Sequence, residues 1–119
     1  MLRVAVIGTG NISPSHIMSY LAFPDRCKIV ALVDIYPEKA EEKKKKFGLT
    51  DAEVFDDHHK ILDRDDIDLV SVCTPPYTHA EIAINFLNAG KNVIVEKPMA
   101  PSLAECGKMI EAAEKSGKV

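Results

Sequence analysis

The sequence contains no tryptophan and only three cysteines, and aromatic residues make up 6% of its 119 residues. Cys27, Cys73 and Cys106 are odd in number and far apart, so they indicate neither a disulfide framework nor a zinc-binding pair. No apolar run approaches the about 18 residues that cross a bilayer as a helix. These absences exclude a disulfide-stabilised scaffold and a protein built on transmembrane helices.

Positive charge is not in excess either, since 15 basic and 18 acidic side chains give a net charge of -3. Binding to nucleic acid requires clustered cations that displace counterions from phosphates, so we expect no nucleic-acid partner. The basic run from Lys43 to Lys46 follows Glu41 and Glu42 at helical spacing, which is typical of a solvated helix face. Met1 is followed by a strand-like segment without the pattern of a signal peptide, which predicts a cytoplasmic protein with no membrane partner.

The remaining composition, 46% hydrophobic and 28% charged, is that of an ordinary globular domain. Four short runs are rich in β-branched residues and almost continuously apolar, at residues 4–7, 29–33, 69–73 and 93–95. Strands of this kind are covered on both faces, as in a parallel sheet. A weaker run at residues 53–55 predicts a short edge strand.

Helix signals alternate with these runs. Pro14 and Pro37 mark first turns, and Thr78 and Ser102 are each followed three residues later by Glu, which predicts capping boxes. The alternation predicts an α/β fold, a Rossmann-type doubly wound parallel sheet in the order 3-2-1-4-5 between two layers of helices. The last residues, 118–119, have the place of a further strand that is truncated there.

The first motif follows the first strand and leads into the first helix: Gly8, Thr9, Gly10, Asn11 and Ile12. In a dinucleotide fold the first glycine allows a tight turn, and the second lets the backbone approach a pyrophosphate at the helix N-terminus. The third glycine position of that pattern holds Ser13. Taken alone, the motif also fits a plain turn between strand and helix.

An acidic residue, Asp34, closes the second strand 24 residues after Gly10 (34 − 10). This is close to the spacing of about 20 residues expected for the acid that binds the adenosine ribose. Alternatively, Asp34 is only an aspartate in the turn before Pro37. Ile35 and Tyr36 follow, with no arginine for a 2′-phosphate, so the sequence predicts NAD in preference to NADP.

Two further motifs lie at the ends of the fourth and fifth strands, on the edge of the sheet where ligands bind in such folds. Thr74 and Pro75, with His79 beyond them, end one strand, and Glu96 and Lys97 end the other. An ammonium held at this edge could orient or protonate a substrate oxygen. Alternatively, Pro75 only ends the strand, His79 is a solvated residue, and Glu96 and Lys97 form a surface ion pair.

The run from Asp56 to His59 has the residue types of a metal site. Adjacent residues on a helix do not share a face, and no other potential ligand has suitable spacing. We therefore predict that the chain has no metal site.

Together these motifs resemble the amino-terminal domain of the glucose-fructose oxidoreductase, inositol dehydrogenase and rhizopine-catabolism (Gfo/Idh/MocA) family. The resemblance extends over essentially the whole chain, and is carried by residues 6–12 with His16, by Asp34, by Thr74-Pro75 with His79, and above all by residues 90–98, which end in Glu96-Lys97-Pro98. It implies that Lys97 lies near the nicotinamide and the substrate and assists proton transfer. It also implies a cis bond between Lys97 and Pro98.

The resemblance assigns the cofactor contacts to residues of all four motifs: Gly8, Thr9, Gly10, Asn11, Ile12, Asp34, Ile35, Thr74, Pro75, His79, Glu96 and Lys97. Within that set, Lys97 is the one catalytic group. The function implied is hydride transfer between NAD and a secondary alcohol or ketone of a sugar, inositol or related polyol. Two alternatives remain, a non-catalytic NAD-binding sensor or subunit and a methyltransferase, although the latter leaves Glu96-Lys97-Pro98 unexplained.

In this family a carboxy-terminal domain contributes the other catalytic groups and most of the oligomer interface. We therefore expect residues 1–119 to be a dinucleotide-binding domain whose substrate and oligomerisation domain is absent from this chain. The chain is expected to bind NAD without turnover by itself, and the full-length protein to form a homo-oligomer.

Overall fold

Strands and helices alternate along the chain in the computed structural model, which describes residues 1–119. The strands are β1 (Leu2–Ile7), β2 (Cys27–Val33), β3 (Glu53–Phe55), β4 (Leu69–Val72) and β5 (Asn92–Val95). The helices are α1 (Ser13–Leu21), α2 (Pro37–Lys46), α3 (His79–Asn88) and α4 (Leu103–Ser116). Two short 3₁₀ turns span His58–Ile61 and Pro76–Thr78.

The five strands form one sheet in the order β3-β2-β1-β4-β5, and every neighbouring pair is parallel, which confirms the predicted topology. The chain winds to one side from β1 to β3 and then crosses back to β4. The ends of β1 and β4 are therefore neighbours, and the backbone N–H of Cys73 donates to the carbonyl of Ile7 at 2.7 Å. Ligands of doubly wound folds bind at this reversal of strand order.

Both faces of the sheet are covered, which explains why the strand sequences do not alternate between apolar and polar residues. On one face, Ile7, Val33 and Val72 pack with Ile82 and Phe86 of α3. On the other face, the residues that pack together come from β1, β2, α1 and α2: Val6, Leu32, Ile17 and Ala40. The molecule thus has the predicted three layers.

Of the two predicted capping boxes, the one at Ser102 forms only its N-cap bond, and the one at Thr78 does not form. Ser102 Oγ accepts the backbone N–H of Glu105 at 3.2 Å, as predicted. The capping box at Thr78 is wrong, because Thr78 already has helical backbone angles after the turn Pro76–Thr78. Its hydroxyl instead lies 2.7 Å from the carbonyl oxygen of Pro75 and 2.6 Å from Thr74 Oγ1. Hydrogen bonds of Thr78 therefore connect the loop after β4 to the start of α3.

The free edge of β5 is met by the last residue of the chain. The backbone N–H of Val93 donates to the carbonyl of Val119 at 2.8 Å, and Val119 N–H donates to Asn92 Oδ1 at 3.0 Å. Val119 is thus hydrogen-bonded to the first two residues of β5. None of the helices combines the length and the apolar character needed to cross a membrane.

Candidate functional site

A cleft of about 580 Å³ opens at the carboxyl ends of β1, β2 and β4. Seven of the residues predicted for cofactor binding line it: Gly8, Thr9, Gly10, Asp34, Ile35, Thr74 and Pro75. The other five lie outside its lining: Asn11, Ile12, His79, Glu96 and Lys97. The fold thus brings the glycine turn, the acidic strand end and the loop after β4 into one concave surface.

Gly8 lies where the exits of β1 and β4 approach each other closely. Its φ is +89°, and a Cβ at this position would be 2.8 Å from the backbone C and O atoms of Cys73. No other residue fits without displacing that backbone. Burial, with a smaller contribution from Glu96, raises the pKa of the Cys73 thiol to about 12, so this side chain remains a neutral packing group.

The amino end of α1 presents unpaired backbone donors beside the cleft. The N–H groups of Gly10, Asn11 and Ile12 have no acceptor within the chain, and no side chain caps this helix. A Cβ added at Gly10 would meet no atom within 4 Å and would project into open space. Free N–H groups and the helix dipole attract an anion, so this end of α1 fits a pyrophosphate.

Ser13 holds the third position of the glycine motif. Its side chain is fully buried, and its hydroxyl donates to the carbonyl of Gly10 at 2.8 Å. A small residue is therefore retained where the helix packs on the sheet, and its polar atom holds the turn in place. This contact gives a physical reason for serine at a position where the motif has glycine.

Asp34 is bonded to the glycine turn. One carboxylate oxygen, Oδ2, accepts the backbone N–H of Thr9 at 2.9 Å and its hydroxyl at 2.7 Å. The other, Oδ1, accepts the N–H of Tyr36 at 2.9 Å, which confirms the turn interpretation of Asp34, whereas its contact with a ribose stays a prediction. Because a carboxylate oxygen accepts about two hydrogen bonds, Oδ1 keeps room for a ligand hydroxyl.

The far wall of the cleft contains residues that sequence reasoning did not select. Tyr36 and Lys39 line it, and Lys39 Nζ lies 4.9 Å from the centre of the Tyr36 ring. This distance is typical of a cation–π contact. Lys39 is the only lysine or arginine in the lining. The available signal was its place in the first turn of α2, which begins at Pro37, three residues after Asp34.

Three residues, Asp57, His58 and His59, form a cluster of which the first two line the same cleft and His59 lies outside the lining. Its potential ligand atoms are all within 4.8 Å of one another, because the 3₁₀ turn and its cap bring adjacent side chains together. The prediction that these adjacent residues do not share a face is therefore wrong, although the absence of a metal site stays a prediction. Asp57 Oδ1 accepts the backbone N–H of His59 and lies 2.7 Å from its Nδ1, and these bonds lower the pKa of Asp57.

His79 is fully buried at the start of α3. Its Nδ1 lies 2.8 Å from the carbonyl oxygen of Pro98, and its Nε2 lies 2.8 Å from that of Thr74. The ring thus connects the loops that follow β4 and β5. Direct contact between His79 and the nicotinamide side of a cofactor stays a prediction, since both ring nitrogens have protein partners here.

Glu96 is paired with a histidine of α1. Its Oε1 lies 2.7 Å from His16 Nε2, and its Oε2 accepts the backbone N–H of Lys97 at 3.2 Å. The bond from His16 is the main cause of the lowered pKa of Glu96. His16 Nδ1 lies 3.2 Å from Ser71 Oγ, and the Tyr20 hydroxyl bonds to that same oxygen. No local motif signals this network, because its members come from three elements.

Lys97 is exposed, and the bond between Lys97 and Pro98 is cis, as the resemblance implied. The interpretation of Glu96 and Lys97 as a surface ion pair is wrong, since Glu96 pairs with His16. The ammonium is thereby left available at the same edge of the sheet as the cleft.

The comparisons with known proteins agree with this geometry. A model of the family described as an oxidoreductase family with an NAD-binding Rossmann fold, Gfo/Idh/MocA, matches residues 2–119. Inositol 2-dehydrogenase of Salmonella typhimurium is 31% identical over 117 residues, which are 98% of this chain and 34% of that protein. The chain thus spans about a third of the length of the curated relatives it matches.

Solved structures show the same fold. The WlbA dehydrogenase of Bordetella pertussis, in complex with NADH and UDP-GlcNAcA, has a TM-score of 0.91 and 29% identity, covering 98% of this chain and 34% of that one. A 3-ketoreductase of Actinomadura kijaniata, in complex with NADP and TDP-benzene, has a TM-score of 0.89 and 28% identity, covering 99% and 35%. With its glycine turn, strand order and cleft, the chain belongs to the Gfo/Idh/MocA oxidoreductase family and has that family's NAD-binding Rossmann fold.

Proposed function

We propose that this chain is the cofactor domain of an NAD-dependent oxidoreductase that acts on a secondary alcohol or ketone of a sugar, inositol or related polyol. The observation that carries the proposal is that Gly10 and the Asp34 carboxylate line one cleft, and that Gly10 is the first of three successive residues, 10–12, with unpaired N–H groups. The similarity to an inositol 2-dehydrogenase supports the substrate class. When bound, NAD supplies the hydride chemistry, and the protein supplies position and charge.

Each motif binds the part of the cofactor that suits its chemical groups. The backbone N–H groups of Gly10, Asn11 and Ile12 hold the pyrophosphate, and Asp34 Oδ1 accepts a hydrogen bond from the adenosine ribose. Ile35, with 76% of its surface exposed, flanks the adenine. Thr74 and Pro75, which line the same cleft, are assigned to the nicotinamide side of the cofactor.

We further propose a preference for NAD over NADP. A 2′-phosphate would stand close to the Asp34 carboxylate, and like charges at such a distance repel. Lys39 is the one cation in the lining that can offset this repulsion, and it stacks on Tyr36. The preference should therefore be clear but not absolute.

Lys97 is the group of this chain that we assign to proton transfer at the substrate oxygen. It is exposed at the edge where the loops after β4 and β5 meet. The relatives' additional length is sufficient for a second domain, to which we assign substrate binding and the contacts of a homo-oligomer. We therefore propose that residues 1–119 bind NAD but do not turn over substrate alone.

Three free thiols support a cytoplasmic location.

Calorimetric titration of the chain with NAD and NADP tests this proposal. We expect NAD to bind more tightly than NADP, and Asp34→Ala to weaken NAD binding about tenfold, as loss of a hydrogen bond to a charged group does. Asp51→Ala is the matched control, because that carboxylate pairs with Lys28 on the surface and lies outside the cleft lining. Binding of neither cofactor, or equal NAD affinity in Asp34→Ala and the wild type, would contradict the assignment.

A further inference from the structure

We propose that His16 and His79 are positioning residues that hold the lysine loop, residues 96–98, from two sides and thereby fix Lys97 for proton transfer. The inference rests on the function proposed above. It gives His79 a role through the protein backbone instead of a direct contact with the cofactor.

His79 anchors the loop at Pro98. Its ring is fully buried, and both of its nitrogens face backbone carbonyl oxygens, of Pro98 and of Thr74, at 2.8 Å. Carbonyl oxygens only accept, so a neutral ring donates to one of them and a doubly protonated ring donates to both. The bond to Pro98 therefore requires the proton on Nδ1, and Nε2 also donates to Thr74 only when the ring is doubly protonated. In either form both nitrogens face main-chain atoms of the two loops. This leaves His79 with no polar atom to offer to a substrate.

His16 anchors the loop at Glu96. The side chain of His16 is 14% exposed, and its Nε2 lies 2.7 Å from Glu96 Oε1. On its other side, Ser71 can donate to Nδ1 when Tyr20 donates to Ser71. That order leaves the proton of a neutral His16 on Nε2, where it bonds to the Glu96 carboxylate. Each donor in this series of hydrogen bonds, which runs from Tyr20 through Ser71 and His16 to Glu96, then has an acceptor.

Lys97 stands between the two anchors. Its own backbone N–H donates to Glu96 Oε2 at 3.2 Å, so the bond from His16 to Glu96 also restrains the main chain of Lys97. Glu96 is held by His16 of α1, on one face of the sheet, and Pro98 is held by His79 of α3, on the other face. The Lys97 side chain itself remains exposed. A fixed backbone with a free ammonium is what a positioned proton-transfer group needs.

Paired substitutions separate positioning from general support of the fold. His16→Gln retains an N–H near the place of Nε2, whereas His16→Leu removes it. His79→Asn retains an N–H near the place of Nδ1, which faces Pro98, whereas His79→Gln retains only the one that faces Thr74. His59→Gln is the control, since His59 is exposed and contacts neither loop.

Two ligands report on the two halves of the site. Binding of ADP-ribose, which lacks nicotinamide, is measured by calorimetry, and binding of NADH is measured by its nicotinamide fluorescence. We expect His16→Leu and His79→Gln to weaken NADH binding about two- to tenfold, the range for one lost hydrogen bond, and to reduce the fluorescence change. ADP-ribose affinity should stay unchanged. His16→Gln and His79→Asn should restore most of the NADH signal.

The outcomes distinguish the inference from the proposed function. If the wild-type chain binds neither ligand, the proposed function fails. If the wild type binds both and the variants weaken both equally, or weaken neither, the positioning role is wrong. The His16 pair decides the question by itself if a His79 variant does not fold, because His16 is partly exposed and less central to the core.

Discussion

At the scale of single residues, Gly8 and Gly10 occupy one turn but are needed for different reasons. Gly8 has a positive φ and lies against the backbone of Cys73, whereas Gly10 faces open space. Both were predicted from the motif, since its spacing is local. The contact between Gly8 and Cys73 was not, because β4 is distant in sequence and meets β1 only in the folded sheet. The same limit applies to the bonds from Thr9 to Asp34.

Replacing each glycine by alanine separates the two roles. Gly8→Ala should lower the free energy of unfolding by about 2 kcal/mol or more, because overpacking against backbone and a strained φ each cost about 1–3 kcal/mol. Gly10→Ala should leave stability within about 1 kcal/mol and weaken NAD binding about tenfold, because the new methyl group enters the space of the pyrophosphate. Urea denaturation and calorimetry measure the two effects. A Gly8→Ala variant as stable as the wild type would show that the close approach is not restrictive.

At the scale of elements, most of the secondary structure could be predicted. The strands follow from apolar β-branched runs and the helices from proline and capping signals, because these patterns act within one element. The capping box at Thr78 failed because Pro75 and Pro76 precede it and shape a 3₁₀ turn that redirects its side chain. The network of Glu96, His16 and Ser71 joins β5, α1 and β4, and no single element encodes it.

An ion pair joins the amino ends of β1 and β4, on the side of the sheet opposite to the cleft. Hydrogen bonds from Arg3 lower the pKa of Asp68 to about 2. A carboxyl group whose pKa is lower in the folded state stabilises the protein above its unfolded pKa of about 3.9, and this contribution is lost as the pH falls toward the folded value. The stability of the wild type should therefore decrease between about pH 4 and pH 2.

The variant Asp68→Asn tests the origin of this acid sensitivity. It should be less stable than the wild type at pH 7, and the difference should shrink as the pH falls through about 4 to 2, because the wild-type carboxyl loses its charge there. Urea unfolding followed by circular dichroism at each pH gives the comparison. NAD affinity at pH 7 should be unchanged, since Asp68 lies outside the cleft lining. A stability difference that does not vary with pH would assign the effect to packing.

At the scale of the whole molecule, the predicted strand order accounts for the site. Reversal of the order between β1 and β4 places the glycine turn, Asp34 and the loop after β4 around one cleft, and the lysine loop follows from the neighbouring β5. The far wall, with Lys39 and Tyr36, was not selected from sequence, because the place of Lys39 in the first turn of α2 does not give the angle at which α2 leaves β2. The two histidine anchors of the lysine loop likewise exist only in the assembled layers.

We propose above all that NAD binds across the cleft at the carboxyl edge of the sheet. The most direct test is a titration of the ¹⁵N-labelled chain with NAD, followed by amide chemical shifts. We expect saturable shifts at residues 8–12, 34–36 and 74, and none at residues 43–46 on the solvated end of α2. Absence of saturable shifts, or shifts centred away from the glycine turn, would contradict it.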